Sequence, residues 1–267
     1  MKTKLTLLST VVAGAMLAGN PAMAQSEWLR GWSGAASLGL LFTSGNSETE
    51  NFNGTASISK QQNAWRHTVF GSAFRAENND VETANRFDIG YKLDRQFTDT
   101  VYGFGRLRFD VDDFGNIDSR TTGVVGIGKR FFDDGKQAFS GEIGIGGQDT
   151  NFIIQGLDVP APDPDAVDEN GLPIVTAQGV DDDAGAVLYG GLTYSNILNE
   201  RVTFNSVFSF EVADVNTLTV WDNSLNVSLS DRISLSFGIL ARNNSEIEGA
   251  LGDTTDTATR FNIVYGI

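Results

Sequence analysis

Long runs in which apolar and polar side chains alternate residue by residue constrain this chain more than any other feature, because a period of two marks a strand with two unlike faces. In "GLLFTSGNSETENFNGTASIS", residues 39–59, one such run ends in a polar knot and a second begins. Aromatic and β-branched residues recur in this way down the chain, with Gly, Asn and Asp clusters between, and no segment keeps a helical apolar stripe for long. The runs predict an all-β chain of twelve strands, at about 31–43, 50–60, 65–77, 84–97, 100–112, 119–132, 137–149, 185–196, 200–213, 217–229, 231–243 and 256–267. Strands of soluble proteins usually have about 5–6 residues, whereas a tilted strand that crosses a bilayer needs about 9–11. Nearly all of these runs reach the second length.

Connections after even-numbered strands read as tight turns, such as "QQNA" at 61–64, "DDGK" at 133–136 and "SD" at 230–231. After odd-numbered strands most read as longer and acidic, such as "NNDVET" at 78–83 and "NNSEIEGALGDTTD" at 243–256. An even strand count with short turns at one end and long loops at the other predicts a transmembrane antiparallel up-and-down β-barrel with both termini in the periplasm. Strand parity alone also fits a soluble sandwich: the run 84–97 puts Phe87, Ile89, Tyr91 and Leu93 on one face and Arg86, Asp88, Gly90, Lys92 and Asp94 on the other. Aromatic placement favours the membrane. Trp32, Trp65, Phe97, Tyr102, Phe131 and Tyr265 fall near short-turn ends, and Phe52, Phe74, Phe87, Phe109, Trp221 and Phe261 near long-loop ends, as two interfacial belts would require.

The first residues read differently from the rest. "MKTKLTLLSTVVAGAMLAGNPAMA" has Lys2 and Lys4, an apolar run over 5–18 and the small-x-small end Ala22-Met23-Ala24, which predicts a signal peptide over 1–24 cut before Gln25. A membrane anchor would need about 20 apolar residues, more than this run supplies. Residues 25–30 then form a short periplasmic segment and 31–267 the barrel. Export agrees with the absence of cysteine. With 19 basic against 34 acidic residues the net charge is −15, and it becomes more negative without the two leader lysines, so nucleic acid is not an expected partner. The expected partners are outer-membrane lipid and lipopolysaccharide, the barrel-assembly machinery during biogenesis, and ions or small solutes if the lumen is open. The last strand, "TRFNIVYGI", alternates Phe261, Ile263, Tyr265 and Ile267 to the terminus and resembles the assembly signal of outer-membrane proteins, although that signal usually ends in Phe or Trp.

From Trp32 to about Phe152, "GWSGAASLGLLFTSGNSETENF", "WRHTVFGSAF", "ANRFDIGYKLDRQFTDTVYGFGRLRFDVDDF" and "VGIGKRFF" follow in an order that resembles the salt-induced outer-membrane protein family, a domain of unknown function in Gram-negative bacteria. From about Ala184 onward the match is less clear. The resemblance implies a barrel and an outer-membrane address, and it brings no activity or catalytic residues.

Residues 150–184 depart from that pattern, being acidic and holding every proline outside the leader. They read as an extended surface loop kept open by proline and charge repulsion, as a loose calcium site, or as a lid folded over the barrel mouth. The calcium ligands would be Asp163, Asp165, Asp168, Glu169 and Asn170, without EF-hand spacing.

An enzyme is not expected. The one histidine, His67, has no serine two residues after it and no carboxylate two before, as outer-membrane hydrolases would need. No cofactor is expected either: "IGIGGQ" at 143–148 lacks the Lys-Ser/Thr and the helix of a phosphate loop and reads as strand glycines over which neighbouring side chains pack. The suggestive residues are the charges that parity sends inward: Arg86, Asp88, Lys92, Arg106, Arg108, Asp110, Arg120, Arg130 and Glu142, with Asp94, Glu211, Arg242 and Arg260. They read either as an ion-pair lattice that fills the barrel or as the lining of a narrow aqueous passage. On strands four to six the cations outnumber Asp88, Asp94 and Asp110, so a passage is expected to favour small anions. Asp112 and Asp113 read as a solvated loop.

Overall fold

Branched and aromatic side chains at every second position favour extended backbone, where each stands clear of its neighbours on a pleated surface. The computed structural model describes residues 31–43, 49–79, 81–113, 117–154, 179–214, 216–245 and 255–267. Twelve strands cover nearly all of them: β1 Trp32–Thr43, β2 Thr49–Gln62, β3 Trp65–Asn78, β4 Val81–Gln96, β5 Val101–Asp112, β6 Ile117–Asp133, β7 Gln137–Ile154, β8 Gly179–Asn199, β9 Val202–Ala213, β10 Thr217–Ser228, β11 Ile233–Asn244 and β12 Thr255–Gly266. Each pairs antiparallel with the next, and β1 closes on β12, so the sheet is a closed barrel. Closure leaves no unpaired edge, which is the condition for strands to stand in hydrocarbon.

The two faces separate as the parity requires. Leu40, Ile89, Leu107, Val125, Ile145, Ile239 and Phe261 are exposed on the outside, while Asp88, Arg108, Asp110, Arg120, Gln148, Glu211 and Arg242 are buried inside. An apolar exterior around a polar interior inverts a soluble barrel and defines a transmembrane one. The wall is thinnest at its closure, where β1 meets β12 over the pairs Ala35↔Gly266 to Leu38↔Ile263, extended by the Ile267 N–H donating to the Gly34 carbonyl at 2.9 Å.

Several predicted boundaries move. β3 and β4 extend to Asn78 and Val81, which pair, so the expected loop at 78–83 contracts to residues 79 and 80, with Asn79 at φ 50° making the reversal. The connections 113–116 and 214–216 are short as well, so long connections belong to fewer odd strands than the composition implied. β7 and β8 stay paired as far as Ile154↔Gly179, carrying the ladder into the segment read as a loop over 150–184. Two aromatic residues assigned to the belts turn inward: Tyr102 is buried, and the Arg86 guanidinium stands 5.9 Å over the Phe74 ring. The leader over 1–24, residues 25–30, and Asp163, Asp165, Asp168, Glu169 and Asn170 lie outside the described residues.

Candidate functional site

The barrel interior is built by strand register. Asp88 on β4 lies opposite Asp110 on β5, and Asp110 opposite Arg120 on β6, so the even-numbered side chains of three adjacent strands converge on one height of the lumen. Like-charged neighbours there are tolerable only with counter-charges from elsewhere in the ring. Asp110 accepts from Arg108 Nε at 3.0 Å and from both Nε and Nη2 of Arg120, at 3.2 and 2.6 Å, a two-pronged guanidinium–carboxylate pair. Glu211, four strands away on β9, holds Arg108 at 2.7 Å and Arg106 at 3.2 Å. Asp112 forms ion pairs with Arg86, 3.4 Å from its Nε, and with Arg242 of β11, while Arg86 also pairs with Asp256 of β12. Asp88 takes a hydrogen bond from Ser72 of β3. Arg260 of β12 pairs with Asp222 of β10.

A second layer lies nearer the short turns. Lys92 bridges Asp94 at 2.8 Å and Glu142 of β7 at 2.5 Å. Its ammonium stands 5.4 and 5.1 Å over the rings of Tyr102 and Phe104, and Tyr102 donates its hydroxyl to Glu142 at 2.7 Å. Arg106 links the layers, lying 5.6 Å over Phe70 and 5.1 Å over Tyr189. Arg130 borders this layer on the short-turn side, 5.8 Å over the Tyr102 ring and held by the Gln96 side chain and, at 3.4 Å, by the Asp99 carbonyl.

The nine charges singled out on parity therefore fall in these two layers, Arg130 at the margin of the second through the Tyr102 ring. Three members lie outside the set named from parity: Asp112, Asp222 and, at the exposed margin, Asp256. Asp112 was read as solvated loop and is instead 2% exposed. The signal was available, since it continues the inward series 106, 108, 110 and lies opposite Arg86 in register. Asp222 shares the inward parity of β10 with Leu218 and Val220. The excess of cations on strands four to six persists with Asp112 added, and Glu142 of β7 and Glu211 of β9 reach in to offset it.

The pairing crosses the lumen. In the ring order β11 and β5 are six places apart among twelve, hence diametrically opposed, and Arg242 and Asp112 meet from those two walls. Arg242 is 5% exposed and Arg120 1%, so water scarcely reaches this layer. A cavity of ≈ 20 Å³ remains within it, lined by Arg86, Asp88, Arg108, Asp110, Arg120 and Arg242 among others. The wall formed by β1 and β2 is small and polar, as in the Ser37–Thr55 hydroxyl pair at 2.6 Å. His67 lies on the outward face of β3, its Nδ1 2.7 Å from the Tyr91 hydroxyl, away from every lumenal carboxylate.

A family model described as "Protein of unknown function, DUF481" matches residues 36–267. The chain belongs to this family. The match runs through β12, well past the 120 or so residues on which the resemblance to salt-induced proteins rests, so the DUF481 unit takes in all twelve strands from within β1 onward. No curated protein matches the sequence. Among solved structures, the NanC porin is 9% identical over 87% of this chain and 100% of its own, with a TM-score of 0.49. The translocator domain of the autotransporter NalP from Neisseria meningitidis is 10% identical over 88% of this chain and 86% of its own, at 0.44. The KdgM porin is 7% identical over 88% and 99%, also at 0.44. The barrel assignment of this DUF481 chain rests on the pairing of its own twelve strands.

Proposed function

We propose that this DUF481 chain is an outer-membrane barrel built around a narrow passage for ions or small solutes, held shut by the charge layer that crosses its lumen. The outer-membrane address draws support from the closed barrel with its apolar exterior and from the signal peptide that the sequence predicts over 1–24. The observation that carries the passage reading is the Arg242–Asp112 pair, which joins opposite walls inside a polar interior. Passage requires that pair to part. Separating a buried ion pair costs about 3–5 kcal/mol, so the open form would be populated on the order of once in a hundred to once in several thousand molecules.

Planar-bilayer recording tests this. The parent protein gives rare, brief openings, and Arg242→Ser or Asp112→Ser gives frequent ones, with folding checked by the mobility of unheated against heated protein in detergent gels. If both variants fold and stay silent, the passage reading fails. The barrel is then a non-conducting envelope component, a reading that the burial of the same layer also favours.

A further inference from the structure

We propose that the outer face of β2–β6, at its short-turn end, binds the phosphate of an anionic phospholipid through Arg95, in the field of Lys60 and Lys129 on either side. The inference rests on the barrel standing in a membrane and not on its conducting. Strand parity turns Lys60 of β2, Arg95 of β4 and Lys129 of β6 outward, each two strand spacings, about 10 Å, around the wall from the next. None of the three makes an ion pair among the described residues. The outward positions of these strands in the same half hold no carboxylate. Asp94 faces inward to Lys92, and Asp99, Asp133 and Asp134 stand at the turns, where the last two accept backbone N–H groups. At the long-loop end the sign reverses: Glu50 is exposed, and Glu77 and Glu82 share the single cation Arg75.

Arg95 is placed as a phosphate ligand by its neighbours. It lies in register with Trp65 on β3 and Gly103 on β5. Because Gly103 has no side chain, the Phe97 ring lies down over it, and a Cβ there would stand 2.8 Å from Phe97 Cζ. The Arg95 guanidinium is 5.3 Å from the Trp65 ring and 5.8 Å from that of Phe97, which holds it at the depth where such rings meet lipid headgroups. These ring contacts leave its N–H donors unspent, and no acceptor meets them among the described residues. A guanidinium fork matches the oxygens of a phosphate. A zwitterionic headgroup would also bring an ammonium, for which this face has no carboxylate, so a headgroup of net negative charge fits it better.

The test places the full barrel in nanodiscs of equal parts phosphatidylglycerol and phosphatidylcholine and counts the lipids it keeps by native mass spectrometry. The parent should keep phosphatidylglycerol in preference. Arg95→Gln should lower that preference about fivefold, the change for one cation near an anionic surface. Lys60→Gln, Arg95→Gln and Lys129→Gln together should erase it, and Arg75→Gln, which removes a cation from the other end of the same face, should leave it unchanged. Equal retention of the two lipids by the parent, or an undiminished preference in the folded single or triple variant, would overturn the proposal. Folding is checked by gel mobility of unheated against heated protein; if the triple variant fails to fold, Arg95→Gln decides. None of these measurements passes current, so a silent barrel would sink the passage reading and leave this one standing. A barrel that enters nanodiscs without lipid preference would sink this one alone.

Discussion

At the scale of single residues, Asp110 is the member on which most of the upper layer leans. It is 6% exposed and takes three guanidinium N–H donors from two arginines. Removing it leaves Arg120 buried without a carboxylate and Arg108 dependent on Glu211 alone. Asp110→Ala is therefore expected to lower unfolding stability by about 3–5 kcal/mol, the range for stranding one half of a buried pair. Asp110→Asn keeps an acceptor oxygen and should lose less. The contrast is Arg75–Glu82 at the rim, 2.8 Å apart but partly exposed, where Glu82→Ala should change stability by about 1 kcal/mol or less. Urea unfolding of micelle-bound barrel reads both, and an Asp110→Ala loss no larger than that of Glu82→Ala would show that the lattice adds little. Strand parity in the sequence puts Asp110 inside. It cannot reveal that Glu211 or Arg242 faces it, because those contacts depend on which strands stand across the ring.

At the scale of elements, the glycines of β6 and β7 form a floor for aromatic side chains. Gly126 pairs with Gly144, and the Phe104 ring lies against both: a Cβ at Gly126 would stand 2.7 Å from Phe104 Cε1. The Tyr102 ring covers Gly128 in the same way, which aims its hydroxyl at Glu142. Gly126→Val should thus overpack the interior at a cost of about 1–3 kcal/mol and displace Phe104 from Lys92. Gly105→Ala, where a Cβ meets nothing within 4 Å, should be near neutral. Unfolding midpoints of the two variants check this, and equal midpoints would remove the packing role. The reading of "IGIGGQ" as strand glycines reached this arrangement because a glycine inside an alternating run signals close approach. The same local signals misjudged connections. "NNDVET" is polar enough for a loop, yet cross-strand pairing to β3 absorbs most of it, and pairing energy is invisible in composition. Tyr102 and Phe74 were placed in the interfacial belts by height along the strand, whereas their even numbers already set them among the inward residues of β5 and β3.

At the scale of the whole molecule, the interior is two charge layers in each of which cations and carboxylates nearly balance. The upper sets Arg86, Arg106, Arg108, Arg120 and Arg242 against Asp88, Asp110, Asp112, Glu211 and Asp256, and the lower sets Lys92, with Arg130 over the same Tyr102 ring, against Asp94 and Glu142. An ion crossing an opened barrel meets both, so the parent interior has no strong preference of sign, in contrast to the anion preference that strands four to six alone imply. The Arg242–Asp112 bridge then offers a test that depends on sign. Arg242→Ser removes the bridge and a positive charge; Asp112→Ser removes the same bridge and a negative one. The two variants differ by two unit charges at one level of the lumen while opening the same constriction. In a planar bilayer under a salt gradient the Asp112→Ser reversal potential should lie on the anion side and that of Arg242→Ser on the cation side. Because charges in a water-filled passage are screened over about 8–10 Å at ordinary ionic strength, the separation should be largest in dilute salt and shrink as salt is raised. Identical reversal potentials in two conducting, folded variants would mean that ions cross without passing this layer, and the passage would have to run elsewhere in the barrel.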